Sequence, residues 1–328
     1  MKSMKKMVLV GLVLLASVMV LVGCKMEAEA AKVHTFPAEA EAAKVYTFPA
    51  EVKVLTDYKS PNNTGSEWTY VEFGEWPQSE VKDVEEESLK LVDGGRGYFN
   101  NNYYKDDNDN FYVKHNGSYY KVEPIVWRVL NKDYASTGRA LLLAENILIV
   151  GIKFDDDNNN YMESFIRQWL NGNSGTVEQS DYSRAVGFLQ TAFEERDREL
   201  IGETTVDNSN KSSFGRDETL ENNPNVCKDT KDMIFLLSKE EVTKKEYGFD
   251  IYTACGEGNT RIRLCTDYAL ATRTVQMSET AGSWWLRSPS IGRDGECIYA
   301  DGSAAARYQV FVNGVGLGVV PALSISLQ

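Results

Sequence analysis

The stretch from Ser283 to Leu327 limits the possible folds more than any other part of the chain. Ser283 to Arg287, Glu296 to Ala300, Arg307 to Asn313 and Val319 to Leu327 are short runs rich in β-branched and aromatic residues. Gly292, Gly295, Gly302, Gly314, Gly316 and Gly318 stand between them, and that punctuation predicts four strands joined by tight turns. Trp284 and Trp285 are adjacent, so on a strand they point to opposite faces and at least one belongs to the core. Gly314-Val315-Gly316-Leu317-Gly318 has the glycine content of a phosphate cradle. It leads into Val319-Val320-Pro321, a strand, and not into a helix N-terminus whose amides would hold an anion, so it reads as a turn.

Upstream the pattern is mixed. Tyr70-Val71-Glu72-Phe73 alternates and Gly74 to Pro77 breaks the alternation, which predicts a strand and turn where the folded body starts, near Trp68. Ile125 to Leu130 and Ala140 to Ala144 read as further strands. Tyr161, Phe165, Ile166, Trp169 and Leu170 share one helical face, with Asn171-Gly172 as the stop. A second helix is expected from about Ser183 to Leu200, and a long polar surface loop from Gly202 to Asp229. Met233 to Leu237 reads as a short strand. Ser238 followed by Glu241 is a capping-box signature for a brief helix, and Thr266-Asp267 opens another through Tyr268 to Ala271. Together these predict an α+β fold of antiparallel sheets with a few helices and long loops.

The N-terminus has a different character. Lys2, Lys5 and Lys6 precede an apolar run from Met7 to Val22, the layout of a secretion signal. The run is shorter than the roughly 20 residues a spanning helix needs. Its ending, Leu21-Val22-Gly23-Cys24, resembles the bacterial lipobox and implies cleavage after residue 23 with lipidation of Cys24. Losing those three lysines takes the formal charge from -13 to -16, so nucleic acid and anionic membrane surfaces are poor partners. Residues 27–38, EAEAAKVHTFPA, recur as 39–50, EAEAAKVYTFPA, differing only in His34 against Tyr46. Alanine, glutamate and lysine punctuated by Pro37 and Pro49 read as a tether. The expected organisation is a signal over 1–23, a lipidated tether over 24–66 and one folded domain over 67–328, with 17 tyrosines and 6 tryptophans in the chain favouring a β-rich body.

Candidate chemistry is sparse. His34 and His115 are the only histidines, too few and too polar in setting for a nucleophile-base pair. Cys227, Cys255, Cys265 and Cys297 form no C-x-x-C pair, so a zinc cluster is not expected. Cys255 and Cys265 are close enough in sequence for a short disulfide, and separate buried thiols are the equal alternative. The acidic runs Asp106 to Asn110 and Asp155 to Asn160 lack the sixth-position glycine and twelfth-position glutamate of an EF-hand loop, and read as solvated turns. No catalytic residue, metal or cofactor is expected.

Trp284-Trp285-Leu286-Arg287-Ser288-Pro289, Asp301-Gly302 and Gly318-Val319-Val320-Pro321-Ala322-Leu323 together carry a resemblance. So, in the same order, do Phe73-Gly74-Glu75-Trp76-Pro77-Gln78, Trp127-Arg128-Val129-Leu130, Arg167-Gln168-Trp169-Leu170-Asn171 and Phe235-Leu236-Leu237-Ser238. Over roughly 68–328 the chain resembles the Treponema variable protein family, lipoprotein targets of diversity-generating retroelements. Val320 departs from the family, which usually has arginine there. The resemblance implies a C-type-lectin fold of the formylglycine-generating-enzyme type whose C-terminal strands and loops present the binding face. Sugar-binding C-type lectins use Glu-Pro-Asn and Trp-Asn-Asp triplets; Glu123-Pro124-Ile125 is the nearest this chain offers, so calcium-dependent sugar binding is not expected.

The resemblance also implies a variable region at about 284–320, with adenine-directed mutation excluding Trp, Lys, Glu, Gln and Met. From Ser290 to Leu317 only Glu296 and Gln309 fall outside the permitted set. The candidate ligand-binding residues are Ser290, Ile291, Arg293, Asp294, Cys297, Tyr299, Ala300, Ala304, Ala305, Arg307, Tyr308, Phe311, Asn313, Val315 and Leu317. Strand parity turns Ile298, Val310 and Val312 inward and Tyr299, Arg307, Phe311 and Asn313 outward, while a bulge near Ala304 to Ala306 would flip Tyr308 outward. Exposed aromatic and guanidinium groups are the usual anchors of protein interfaces. The expected function is non-catalytic recognition of another protein by a monomeric, surface-exposed, outer-membrane lipoprotein that touches the membrane only through its anchor. The alternatives are a formylglycine-generating-type enzyme using Cys297 and an invariant surface adhesin.

Overall fold

A computed structural model describes residues 47–62, 68–93, 96–99, 102–172, 187–214, 223–250, 259–273, 280–290, 294–298 and 311–328. These lie in one compact unit, Val45–Gln328. The fold is α+β, with mostly antiparallel sheets, short helices and long connections.

In chain order, β1 (Lys53–Leu55) and β2 (Tyr70–Val81) are followed by β3 (Lys90–Leu91), β4 (Tyr103–Lys105), β5 (Phe111–His115), β6 (Ser118–Asn131), β7 (Arg139–Ala144) and β8 (Ile149–Val150). Next come α1 (Phe165–Asn171), α2 (Phe188–Ala192), α3 (Glu195–Leu200), β9 (Thr204–Val206), α4 (Asn210–Phe214), β10 (Thr230–Asp232) and β11 (Ile234–Phe235). The described chain closes with α5 (Asp267–Ala271), β12 (Trp284–Pro289), β13 (Gly295–Ile298), β14 (Gly318–Val319) and β15 (Ala322–Ser326).

The large sheet is built on β6. One edge of β6 pairs with β2, and the other is shared between β5 near its start and β7 near its end. β15 lies between β7 and β11, so the C-terminal strand sits inside the sheet. A smaller sheet has the order β13-β12-β14-β8, with β12 and β14 parallel. The helices pack through aromatics: the Trp76 ring on β2 lies 5.1 Å from Phe99, 5.0 Å from Phe188 on α2 and 6.3 Å from Trp169 on α1. Large rings at these separations bury much apolar area and add edge-to-face contacts.

Several expectations change in the structure, each for a packing reason. The folded body, expected to start at residue 67, already includes residues assigned to the tether. Val52 is buried, β1 pairs with β2, and Ser60 and Asn62 hydrogen-bond Glu145, so 47–62 belongs to the domain. The break at Gly74 is a bulge within β2: Gly74 takes φ +66°, and a Cβ there would come within 2.4 Å of the Phe193 ring. The strand then continues because Trp76 is fully buried.

The single helix expected from Ser183 to Leu200 is two, divided at Phe193, whose extended backbone (φ -127°, ψ 135°) drops its ring onto Phe73. Residues 183–186 lie outside the described residues. The loop expected over Gly202 to Asp229 holds β9 and α4 and buries Val206, Asn208, Ser212, Ser213 and Asn223. Val319 to Leu327 divides into β14 and β15 at Val320-Pro321, since Pro321 has no N–H to donate where the chain passes from the small sheet to the large one. The Ser238–Glu241 capping box does form: Ser238 N–H donates to Glu241 Oε2 at 2.9 Å and Glu241 N–H to Ser238 Oγ at 3.2 Å. Trp284 and Trp285 are both fully buried, one on each face of β12.

Candidate functional site

The candidate face is built from the loop after β12 and the turn before β14. β12 has every side chain buried, and its two indoles are pinned by backbone carbonyls: Trp284 Nε1 donates to Arg261 O and Trp285 Nε1 to Ile152 O. β13 pairs beside it with Cys297 opposite Trp285. Gly295 faces the Trp285 ring so closely that a Cβ would come within 2.9 Å. Ser290 N–H donates to Asp294 O at 3.0 Å and closes the connection.

Three asparagines hold that connection from outside. The Asn159 side-chain amide donates to Ser290 O at 3.1 Å and to Asp294 O at 2.8 Å. Asn225 donates to Ser290 O at 3.0 Å, and Asn223 to Pro289 O at 2.9 Å. The 311–317 turn is held from the same side: Val312 O accepts from Phe154 N–H at 2.9 Å and Asp155 N–H at 3.1 Å, and Gly314 N–H donates to Phe311 O at 2.8 Å. Val312 and Leu317 are buried, while Phe311 is 73% exposed, Val315 36%, and Asn313 is exposed.

Beneath β12 lies a buried ion pair. Arg287 Nη1 donates to Glu241 Oε2 at 2.5 Å and Leu236 O at 2.7 Å, and Nη2 to Asp207 O at 3.0 Å. Burial alone would raise the Glu241 carboxyl, but the Arg287 charge and hydrogen bond overcome it and hold the group below its usual range. Tyr134 OH and Ser238 N–H also donate to this carboxylate. These bonds tie three chain segments together at one buried point.

The structure distributes the sequence candidates unevenly. Phe311, Asn313 and Val315 face solvent, and Ser290 is partly exposed. Asp294, Cys297 and Leu317 are corrections, being 7%, 2% and 7% exposed. Asp294 presents its carbonyl to Asn159, Cys297 packs on the inner side of β13, and Leu317 fills the core ahead of Gly318. The segment expected as a strand through Asn313 forms a turn over its last residues, although the inward Val312 and outward Phe311 and Asn313 keep the expected parity. Ile291, Arg293, Tyr299, Ala300, Ala304, Ala305, Arg307 and Tyr308 lie outside the described residues, as do Cys24, His34 and Cys255.

His115 lies on β5 with its ring 5.8 Å from Tyr268. Cys227 and Cys265 are free thiols pushed up by burial, which disfavours the thiolate a nucleophile needs. Among the described residues no group of three or more His, Cys, Asp or Glu side chains could hold a metal ion, and no helix is long and apolar enough to cross a membrane. Asn159, Asn223, Asn225 and Glu241 carry the face without having been candidates for it. The one local signal for the middle pair is the density of asparagine in Glu221-Asn222-Asn223-Pro224-Asn225.

The geometry therefore defines an α+β domain with a braced C-terminal loop face. The chain belongs to the family described as a domain of unknown function, DUF6273, whose pattern matches residues 137–327 and so spans β7 to β15 and the whole candidate face. No curated protein and no solved structure matches the chain.

Proposed function

We propose that this chain is a surface lipoprotein, anchored through Cys24 in the outer membrane, that displays a diversifiable binding face on a C-type-lectin-like domain and recognises another protein without catalysis. The observation that supports it most directly is the turn at 311–317. Its backbone and its buried residues Val312 and Leu317 are tied to the scaffold, while Phe311, Asn313 and Val315 project into solvent with few structural obligations. A surface so arranged changes shape by substitution at little cost, which is what diversification requires.

The test is a small library at Phe311, Asn313 and Val315, read for stability and for binding in a screen against host and bacterial surface proteins. Members should keep their unfolding free energy within about 0.5 kcal/mol of the parent while binding differs by an order of magnitude or more among them. Losses above about 2 kcal/mol across the library would mark these side chains as structural and remove the reading. A template repeat and reverse-transcriptase gene beside the coding sequence would support diversification, and their absence would favour an invariant adhesin.

A further inference from the structure

An asparagine followed by glycine is the dipeptide best able to modify its own backbone, because glycine has no Cβ to shield its nitrogen. The glycine nitrogen attacks the asparagine side-chain carbonyl carbon, the side-chain nitrogen leaves as ammonia carrying the glycine N–H proton, and a five-membered succinimide closes. Water then opens the ring at either carbonyl and leaves aspartate or isoaspartate. The step proceeds only where the chain lets the nitrogen approach Cγ. Asn116-Gly117, Asn171-Gly172 and Asn313-Gly314 are the three such pairs in the sequence, and the fold holds each differently.

Asn171 is locked at both reacting atoms. Its side-chain amide donates to Arg167 O at 3.0 Å and Ile234 O at 2.8 Å, its side-chain carbonyl accepts from Met233 N–H and Ile234 N–H, and Gly172 N–H caps α1 on Gln168 O. Asn116 is exposed but sits at the tip of the β5–β6 hairpin with φ +50°, and Gly117 follows at +89°. In that left-handed basin ψ is about +30 to +60°, which places the next nitrogen nearly opposite Cβ. Rotating it toward Cγ would pull apart the paired His115 and Ser118.

Asn313 has neither restraint. It is exposed, its φ is not left-handed, and among the described residues its side chain makes no hydrogen bond. Gly314 N–H is tied by one bond, to Phe311 O at 2.8 Å, and the chain runs on to Gly316, where a Cβ would meet nothing within 4 Å. Breaking that single turn bond frees the nitrogen. We infer that Asn313 is a self-modification site, the Asn-Gly pair at which the folded chain converts asparagine to aspartate and isoaspartate. Each event adds a negative charge between Phe311 and Val315, and isoaspartate also lengthens the main chain of the turn by one carbon. The inference stands whether or not a partner binds there.

The purified full chain, incubated in mildly alkaline buffer both folded and in denaturant, tests this by peptide mapping of the aspartyl and isoaspartyl products. In denaturant the three pairs should react at comparable rates, since each has glycine next. In the folded chain Asn313 should stay within about tenfold of its denatured rate, the protection that one exposed hydrogen bond gives. Asn116 should fall at least about tenfold below Asn313, and Asn171 should react at about a thousandth of its denatured rate or less, through wider unfolding. Asn313→Gln, which would have to close a six-membered ring, should remove the fast acidic species seen by isoelectric focusing, and Asn116→Gln should leave it. A folded chain in which Asn116 or Asn171 reacts as fast as Asn313 would overturn the inference. So would Asn313 slowed more than about a hundredfold by folding, or an acidic species that survives Asn313→Gln.

Discussion

Two turns of nearly the same composition do opposite jobs. Asp106 to Asn110 closes on itself: the Asp106 carboxylate accepts from the backbone N–H of Asn108 and Asn110, from the Asn110 amide and from Tyr112 OH, all within six residues. Asp155 to Asn160 reaches outward. Asp155 Oδ2 accepts from Phe165 N–H at the start of α1, and Asn159 bonds carbonyls 131 and 135 residues away. Both are polar, acidic and turn-forming, so composition alone assigns them one role. The difference is one of burial: Asn159 is 4% exposed, and a buried amide that bonds one buried and one part-buried carbonyl costs more to remove than one at a hairpin tip.

Four substitutions grade this contrast. The largest effect belongs to the charged support under the same face: Glu241→Gln should cost about 3–5 kcal/mol in denaturant unfolding, because Arg287 stays buried without its counter-charge. Its pH signature has a defined sign. A carboxyl held below its usual value in the folded state contributes stability that is complete above the unfolded value of about 4.3 and is lost as pH falls through the folded value. The parent should thus lose stability on acidification below that point more steeply than Glu241→Gln does.

Asn159→Leu comes next, at about 2–4 kcal/mol, with faster amide exchange at Ser290 if the bracing works as described. Loss of stability without any change in exchange at Ser290 would break the comparison. Asp155→Ala should cost about 1–2 kcal/mol through the lost charge-assisted bond at the α1 N-terminus, read as fraying of α1. Asp106→Ala should do least, with faster exchange confined to the β4–β5 hairpin and no change at the loop face. Its carboxyl is held low, at about 2, mainly by the Asn110 amide. An NMR titration finding an ordinary aspartate value there would contradict the closed geometry.

Much of the fold was legible from local pattern. The α1 face, the Ser238–Glu241 capping box, the Thr266 cap of α5 and the buried strand at Trp284-Trp285 all follow from side-chain periodicity and capping chemistry, which act within a few residues. The parts of Gly202 to Asp229 that were missed are polar by composition yet packed, because Asn223 and Asn225 satisfy backbone carbonyls of β12 and its loop and Ser212 Oγ accepts from the Arg287 guanidinium. Of the described candidate residues, parity identified Phe311 and Asn313 as outward-facing. It could not show that Asp294 and Cys297 are covered, since covering depends on which other segment packs against them.

By itself the sequence determined the types of several elements, the mixed α+β class and the existence of a duplicated segment, because alternation, capping residues and repetition are readable along the chain. Only the tertiary structure decided that residues 47–50 at the end of the duplicate join the domain, that β15 ends inside the large sheet, and that Asn159, Asn223, Asn225 and Glu241 support the loop face. Those outcomes rest on contacts between residues tens to hundreds of positions apart, and hydrogen bonds at that separation leave no period in the sequence.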